Sequence, residues 1–159
     1  MKNKILIQLF SPFVFVWLLN AQASPSETNL RTKHYNIEKS GLAIKGYDPI
    51  SYFLGNPKKG STAVVYKYNG LTYKFTSDKN KELFSASPEK FEPAYGGWCA
   101  YAMGASGEKV EIDPETFKII NGKLYLFYNA FFNNTLPKWN ANEKNLNKKA
   151  DDNWKTLYK

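Results

Sequence analysis

The chain carries Asn-Gly twice, each time between runs of alternating apolar and polar residues, and this pattern constrains the fold more than any other feature. Val64-Val65-Tyr66-Lys67-Tyr68 leads into Asn69-Gly70 and then Leu71-Thr72-Tyr73-Lys74-Phe75. Phe117-Lys118-Ile119-Ile120 leads into Asn121-Gly122 and then Lys123-Leu124-Tyr125-Leu126-Phe127. A type I′ hairpin turn needs positive φ at both central residues, which Asn and Gly tolerate. The β-branched and aromatic flanks suit strands buried on one face. Two antiparallel hairpins are therefore predicted.

The segments around them read as helical. Ser77 is placed to cap a helix carrying Leu83 and Phe84, and Ser87-Pro88 is a second start signal. Phe91 and Tyr95 share a face of a short turn that Pro93 limits and Gly96-Gly97 breaks. Trp98 to Met103 reads as a further helix stopped by Gly104. A longer helix is predicted over Glu143 to Leu157, where Leu146, Ala150, Trp154 and Leu157 recur at helical spacing. Ile50 to Leu54 reads as a short strand or bend. Hairpin, helices, hairpin, helix is an α+β order rather than alternating βαβ. The expected architecture is a small antiparallel sheet built from the two Asn-Gly hairpins, with flanking short helices and a C-terminal helix. No internal repeat longer than the hairpins is evident.

The N-terminus has the layout of a secretory signal. Lys2 and Lys4 precede an apolar run from Ile5 to Leu19, and Ala21-Gln22-Ala23 supplies small residues for cleavage near Ala23. The run is short for a membrane span of about 20 residues. A signal peptide over residues 1–23, and a periplasmic or secreted destination, follow as expectations. Residues 24–40 are polar without periodicity and read as a flexible arm, ahead of one domain over 41–159. The net charge is +8, to which the leader's Lys2 and Lys4 contribute two. Such an excess favours anionic surroundings, such as lipid head groups or acidic glycans of an envelope surface. An exported protein seldom meets nucleic acid, so none is expected as partner.

Cys99 is the chain's one cysteine. No intrachain disulfide is possible, and an unpaired thiol in an oxidising compartment must be either buried or used. Cys99 and Met103 are four apart and would share a helix face. Thiolate and thioether are soft donors that suit Cu(I) or another soft metal. A third donor would have to come from His34, a tyrosine or another chain. The competing reading is that both sulfurs fill core. A nucleophilic thiol would need an imidazole in reach, and the sole histidine, His34, lies in the arm. No G-x-S-x-G segment is present.

Asp48, before Pro49, is a candidate acid or ligand, although an Asp there more often organises a turn. Tyr47, Tyr95, Trp98 and Tyr101 are candidate ligand-binding aromatics. Three of them bracket Gly96-Gly97, where backbone permits close approach. Glu82, Glu89 and Glu92 read as solvated.

Asp48-Pro49, then Gly70-Leu71-Thr72-Tyr73-Lys74-Phe75-Thr76-Ser77, then Phe84, Pro88 and Phe91 together resemble a YHS domain over about residues 42–95. The remainder, including Tyr95-Gly96-Gly97-Trp98-Cys99 and Ala150-Asp151-Asp152-Asn153-Trp154, is similar to an exported bacterial subgroup of that family. The resemblance implies a metal-handling module. Where metal-handling relatives would place ligands, however, this chain has Ser51, Thr76 and Asn80. Three function classes follow: an exported binding module for a soft metal ion or small ligand near Cys99, a non-catalytic protein that binds a partner or envelope surface, and a thiol-dependent redox protein or enzyme. The non-catalytic classes rank first.

Overall fold

The computed structural model describes residues 24–159, and the expected signal peptide lies outside the described residues. In chain order the elements are α1 (Pro25–His34), α2 (Pro49–Phe53), β1 (Ser61–Tyr68), β2 (Leu71–Phe75), α3 (Asp78–Ala86), α4 (Pro88–Phe91), α5 (Ala100–Ala105), β3 (Asp113–Ile120), β4 (Lys123–Phe127), β5 (Asn129–Ala130), β6 (Asn133–Asn134), α6 (Leu136–Ala141) and α7 (Glu143–Leu157). Short 3₁₀ turns cover Ile44–Gly46 and Ala94–Gly97. The strands pair as three antiparallel two-stranded ladders, β1 with β2, β3 with β4 and β5 with β6. The fold is thus α+β, as the sequence predicts. Its antiparallel pairing is divided among three ladders rather than gathered in one sheet.

Both Asn-Gly hairpins form in the expected register, with Tyr68 opposite Leu71 and Ile120 opposite Lys123. The turn residues take positive φ, 45° and 87° at Asn69 and Gly70 and 50° and 74° at Asn121 and Gly122. α7 spans the predicted residues and buries Leu146 and Ala150. Residues 50–54 form neither a strand nor a bend. Residues 50–53 belong to α2 and Leu54 is its C-cap, because the Asp48 carboxylate caps the Ile50 amide at 2.9 Å and Pro49 is pre-set for a first helical turn.

The largest departure is the N-terminal arm. Residues expected to be flexible form α1, capped by Ser24, whose hydroxyl accepts from the Glu27 amide at 3.2 Å. Periodicity is blind to this helix because no apolar stripe docks it. Arg31 does so instead. Its guanidinium pairs with the buried Glu92 carboxylate, donates to the Asn69 carbonyl at 3.2 Å and lies over the rings of Tyr35 and Tyr68. Glu92, expected in solvent, is 4% exposed and also accepts from the Tyr73 hydroxyl. The Asn69-Gly70 turn is part of this seat. A Cβ on Gly70 would stand 2.8 Å from the Thr28 methyl and 2.9 Å from that of Thr32. Gly70 therefore serves the turn and the close approach of α1 together.

The structure also contains an internal repeat that the sequence does not display. Two successive units, each a 3₁₀ turn, a short helix, a bulged hairpin and a helix, follow one another with the same wiring. Leu42 bridges Thr72 in parallel, and Pro93 bridges Leu124 likewise. Ile44, Lys45 and Gly46 take positive φ, and so do Tyr95, Gly96 and Gly97. Ser61 pairs with Phe75 before a bulge to Val65, and Asp113 pairs with Phe127 before a bulge to Phe117. Asp48 N donates to the Lys58 carbonyl at 2.8 Å, and Cys99 N to the Val110 carbonyl at 3.0 Å. Equivalent positions are 51 or 52 residues apart along these pairs. The core forms two clusters, the first of which also takes Cys99, Ile112, Leu124 and Leu126 from the second unit. One cluster gathers Tyr52, Leu71, Tyr73, Phe75 and Phe84, and the other gathers Met103, Phe127, Trp139, Leu146 and Ala150.

Removing one partner of a buried, hydrogen-bonded ion pair leaves the other charge stranded, at a cost of about 3–5 kcal/mol. Arg31→Ala is therefore expected to lower the urea unfolding midpoint by that amount of stability. Lys33→Ala, on the exposed side of the same helix, should shift it by under about 0.5 kcal/mol.

Candidate functional site

The equivalence of the two units fixes the environment of the two residues on which the chemistry was expected to turn. Asp48 and Cys99 occupy the same place, immediately before α2 and α5 respectively. Asp48 is fully buried. One carboxylate oxygen accepts from the Ile50 amide. The other accepts from the Thr76 amide at 2.8 Å, the Thr76 hydroxyl at 2.7 Å and the Asn80 side-chain amide at 2.7 Å. Ser51 closes the same neighbourhood, donating to the Asp48 carbonyl at 2.6 Å and accepting from the Lys58 amide at 3.0 Å. Ser51, Thr76 and Asn80 converge around Asp48. Thr76 and Asn80 surround the Asp48 carboxylate with donors, and Ser51 ties the adjoining backbone. Asp48 is thus a satisfied structural hub, in keeping with the turn-organising reading.

Cys99 repeats this arrangement with sulfur. Its Sγ accepts from the Tyr128 amide at 3.3 Å and lies 3.4 Å from the Thr135 hydroxyl. Tyr128 follows β4 as Thr76 follows β2. The thiol is fully buried. Met103 is buried too, in the other core cluster, with its carbonyl taken by the Asn153 side chain at 2.8 Å. Among the described residues, no group of three or more His, Cys, Asp and Glu side chains is placed to hold a metal ion. A sulfur already accepting a backbone amide, sealed from solvent, fits a packed thiol better than a copper ligand.

The partners of the His34 ring do not include the Cys99 thiol. Its Nδ1 faces the Lys109 ammonium at 3.3 Å, its ring meets Tyr158 edge-on, and its carbonyl accepts from Trp98 Nε1 at 2.7 Å. Lysine only donates, so Nδ1 is the acceptor and the imidazole is neutral. Nε2 then carries the proton, and it is buried without a protein partner. Burial first, and then the charges of Lys109 and Lys33, hold the His34 pKa below its ordinary value.

The candidate aromatics do not share one site. The Tyr47 hydroxyl donates to Glu115 Oε1 at 2.8 Å. Trp98 packs against the end of α1 and lies under the Lys109 ammonium. Tyr101 bridges the two core clusters and lies under the Lys138 ammonium. Tyr95 alone lines a substantial cleft. That cleft, of about 360 Å³, is walled by Tyr35, Tyr95, Tyr125 and Trp154, with Gly96 backbone, Lys123 and Asp151 at its margins. The Tyr95 hydroxyl donates to Asp151 Oδ1 at 3.0 Å, and Asn147 Nδ2 donates to the hydroxyls of Tyr95 and Tyr125 at 3.3 and 3.1 Å. Burial and then the Asp151 charge raise the Tyr95 pKa, so the phenol stays protonated. Burial lowers the pKa of Lys123 despite Glu92 and Glu89. The glycine pair admits protein rather than ligand at one point, since a Cβ on Gly96 would stand 2.9 Å from the Trp154 ring and 3.0 Å from that of Tyr35.

Sequence reasoning missed Tyr35, Lys123, Tyr125, Asp151 and Trp154 as neighbours of Tyr95. Tyr35 lies in the segment that reads as an arm, and the others sit at predicted strand and helix positions. The hairpin and helix patterns place each of them on an element but carry no signal of their convergence.

Two substitutions separate the hubs. Asp48→Ala strips the Thr76 and Asn80 donors of their buried acceptor and should cost at least about 3 kcal/mol by urea unfolding. At Cys99 the expected loss is about 1–3 kcal/mol for Ala, which removes the acceptor, and less for Ser, which retains one. In the native protein, Cys99 should react with an alkylating reagent only as fast as the chain opens.

Comparison with known proteins finds no family model, no curated relative and no solved structure that matches the chain.

Proposed function

We propose that the chain is an exported, non-catalytic binding module of YHS type whose ligand seat is the aromatic cleft beside Tyr95. The observation that carries this reading is the composition of the cleft. Four aromatic side chains wall one open volume of about 360 Å³, with a cation and a carboxylate at its edge. Small-molecule sites are concave, carry convergent polar groups and begin at about 300 Å³. A cleft of about 160 Å³ beside Leu42, Ile44 and Lys45 has no aromatic wall, and one of about 360 Å³ beside Pro88 has Tyr68 as its single aromatic.

The seat suits a small ring with one apolar face and hydroxyls at its rim, which is the chemistry of a saccharide. Aromatic faces take the C–H side of such a ring, while Asp151 accepts and Lys123 donates at its edge. Among the described residues, no cysteine, serine or histidine lines the cleft as a nucleophile or its base. The Asp151 carboxylate is engaged by the Tyr95 phenol, and Cys99 is enclosed in the core. The soft-metal reading has less support, because the Cys99 sulfur already has its partners.

The test is saturation-transfer NMR on the protein with glucose, N-acetylglucosamine and their short β-linked oligomers. At least one is expected to show transfer to its apolar ring face. Asp151→Asn, which keeps an acceptor for the Tyr95 phenol, and Lys123→Met should each weaken that ligand about tenfold or more, as loss of a hydrogen bond to a charged group does. Absence of transfer from every sugar, or equal transfer in both variants, would remove the proposal.

A further inference from the structure

The two units differ at one place. In the first, the chain passes from β2 through Thr76 and Ser77 directly into α3. In the second, Tyr128 is followed by the β5–β6 hairpin, Asn129–Asn134, before Thr135 starts α6. These six residues have no counterpart in the first unit, so the unit folds without them.

The tip of this inserted hairpin is Phe131-Phe132. Asn129 pairs with Asn134 and Ala130 with Asn133, which leaves the two phenylalanines as a two-residue turn. Their φ values are 51° and 60°. The same chain uses Asn-Gly in its other two hairpin turns, where positive φ is easily adopted. Two bulky aromatic residues there are strained, and such strain collects at functional positions. Both rings are also free of the protein, at 91% and 113% relative exposure. Turn geometry does not require them, and the core does not use them.

The base of the hairpin is fastened by hydrogen bonds. Thr135 N and Oγ1 donate to the Tyr128 carbonyl at 3.0 and 2.9 Å, and the Cys99 sulfur touches both ends through the Tyr128 amide and the Thr135 hydroxyl. Asn129 Nδ2 donates to Thr116 Oγ1 at 3.0 Å. The Lys138 ammonium donates to Asn133 Oδ1 at 2.7 Å, which sets a cation behind the tip. The hairpin therefore presents an apolar point with a collar of Asn129, Asn133, Asn134 and Lys138.

We propose that the Phe131–Phe132 tip is a wedge that inserts into the interface of an anionic lipid bilayer. Charge complementarity selects this occupant, since the chain carries +8, or +6 without the leader's Lys2 and Lys4, and Lys138 stands beside the tip. Size argues against a protein groove as the occupant. A stable protein interface buries more than about 1,000 Å² with a packed centre, whereas two rings on a narrow point are suited to the headgroup–acyl boundary. The wedge is independent of the cleft beside Tyr95.

The experiment is co-sedimentation of the signal-free protein with vesicles of phosphatidylcholine alone and of phosphatidylcholine with phosphatidylglycerol. The variant is the double substitution Phe131→Asn, Phe132→Gly, which gives the tip the turn chemistry of the other two hairpins and so should fold at least as well. Wild type is expected to bind the anionic vesicles in preference to the neutral ones. The double variant should partition at least about tenfold less, the scale set by withdrawing one or two phenylalanine side chains from an apolar phase. Lys138→Glu should weaken binding to the anionic vesicles with the tip intact. Equal partitioning of wild type and double variant, or no vesicle binding by wild type, overturns the proposal. So does a wild-type dimer that the double variant abolishes, which would assign the tip to a second copy of the chain.

Discussion

One contact repeats in both halves and holds each together: the backbone amide just after the second hairpin strand donates to the side chain that precedes the short helix. In the first unit this is Thr76 N to the Asp48 carboxylate, and in the second Tyr128 N to the Cys99 sulfur. The contact fixes where the hairpin ends relative to the helix start, and the rest of each unit is arranged about it. A buried backbone N–H must be satisfied, and either acceptor meets that need. The carboxylate also draws in the Thr76 hydroxyl and Asn80, whereas the thiol needs only the Thr135 hydroxyl beside it. Cys99 thus has a structural explanation that requires no redox or metal chemistry.

Much of the local structure was legible in the residues. Asn69-Gly70 and Asn121-Gly122 specify their turns through φ, Ser77 its cap, and Leu146 with Ala150 the buried face of α7. These are short-range relations that a pattern can carry. α1 was hidden because a single arginine, not a stripe, fastens it to a glutamate 61 positions away. The repeat was hidden because its equivalences are between backbone roles. Asp48 and Cys99, or Ser77 and Thr135, share a position without sharing an obvious chemistry. The cleft was only partly legible: Tyr95 was singled out, but its neighbours come from α1, β4 and α7, which local patterns do not bring together.

The docking of α1 and the cleft are one arrangement. Tyr35 directly follows α1, and its ring lies under the Arg31 guanidinium, contacts Trp154 edge-on and forms one wall of the cleft. The Asn36 amide donates to the Gly96 carbonyl at 2.8 Å, joining the same strap to the turn that carries Tyr95. The Arg31–Glu92 pair therefore supports the shape of a surface several residues away. A helix without an apolar face completes the wall only while its charged anchor is in place.

The two attachments of α1 differ in their response to acid. Arg31 keeps its charge at any ordinary pH, but His34 is accommodated only as the neutral imidazole, against Lys109 and with its pKa depressed. In the unfolded chain the same group takes up a proton near pH 6.5, so its contribution to folding is complete above that value and drains away as pH falls through it. Mild acidity therefore removes that contribution at the C-terminal turn of the helix, next to Tyr35, and leaves the Arg31–Glu92 pair in place. The strap beside the aromatic cleft is thus held at one end by a charge that acid does not change and at the other by an imidazole that it does.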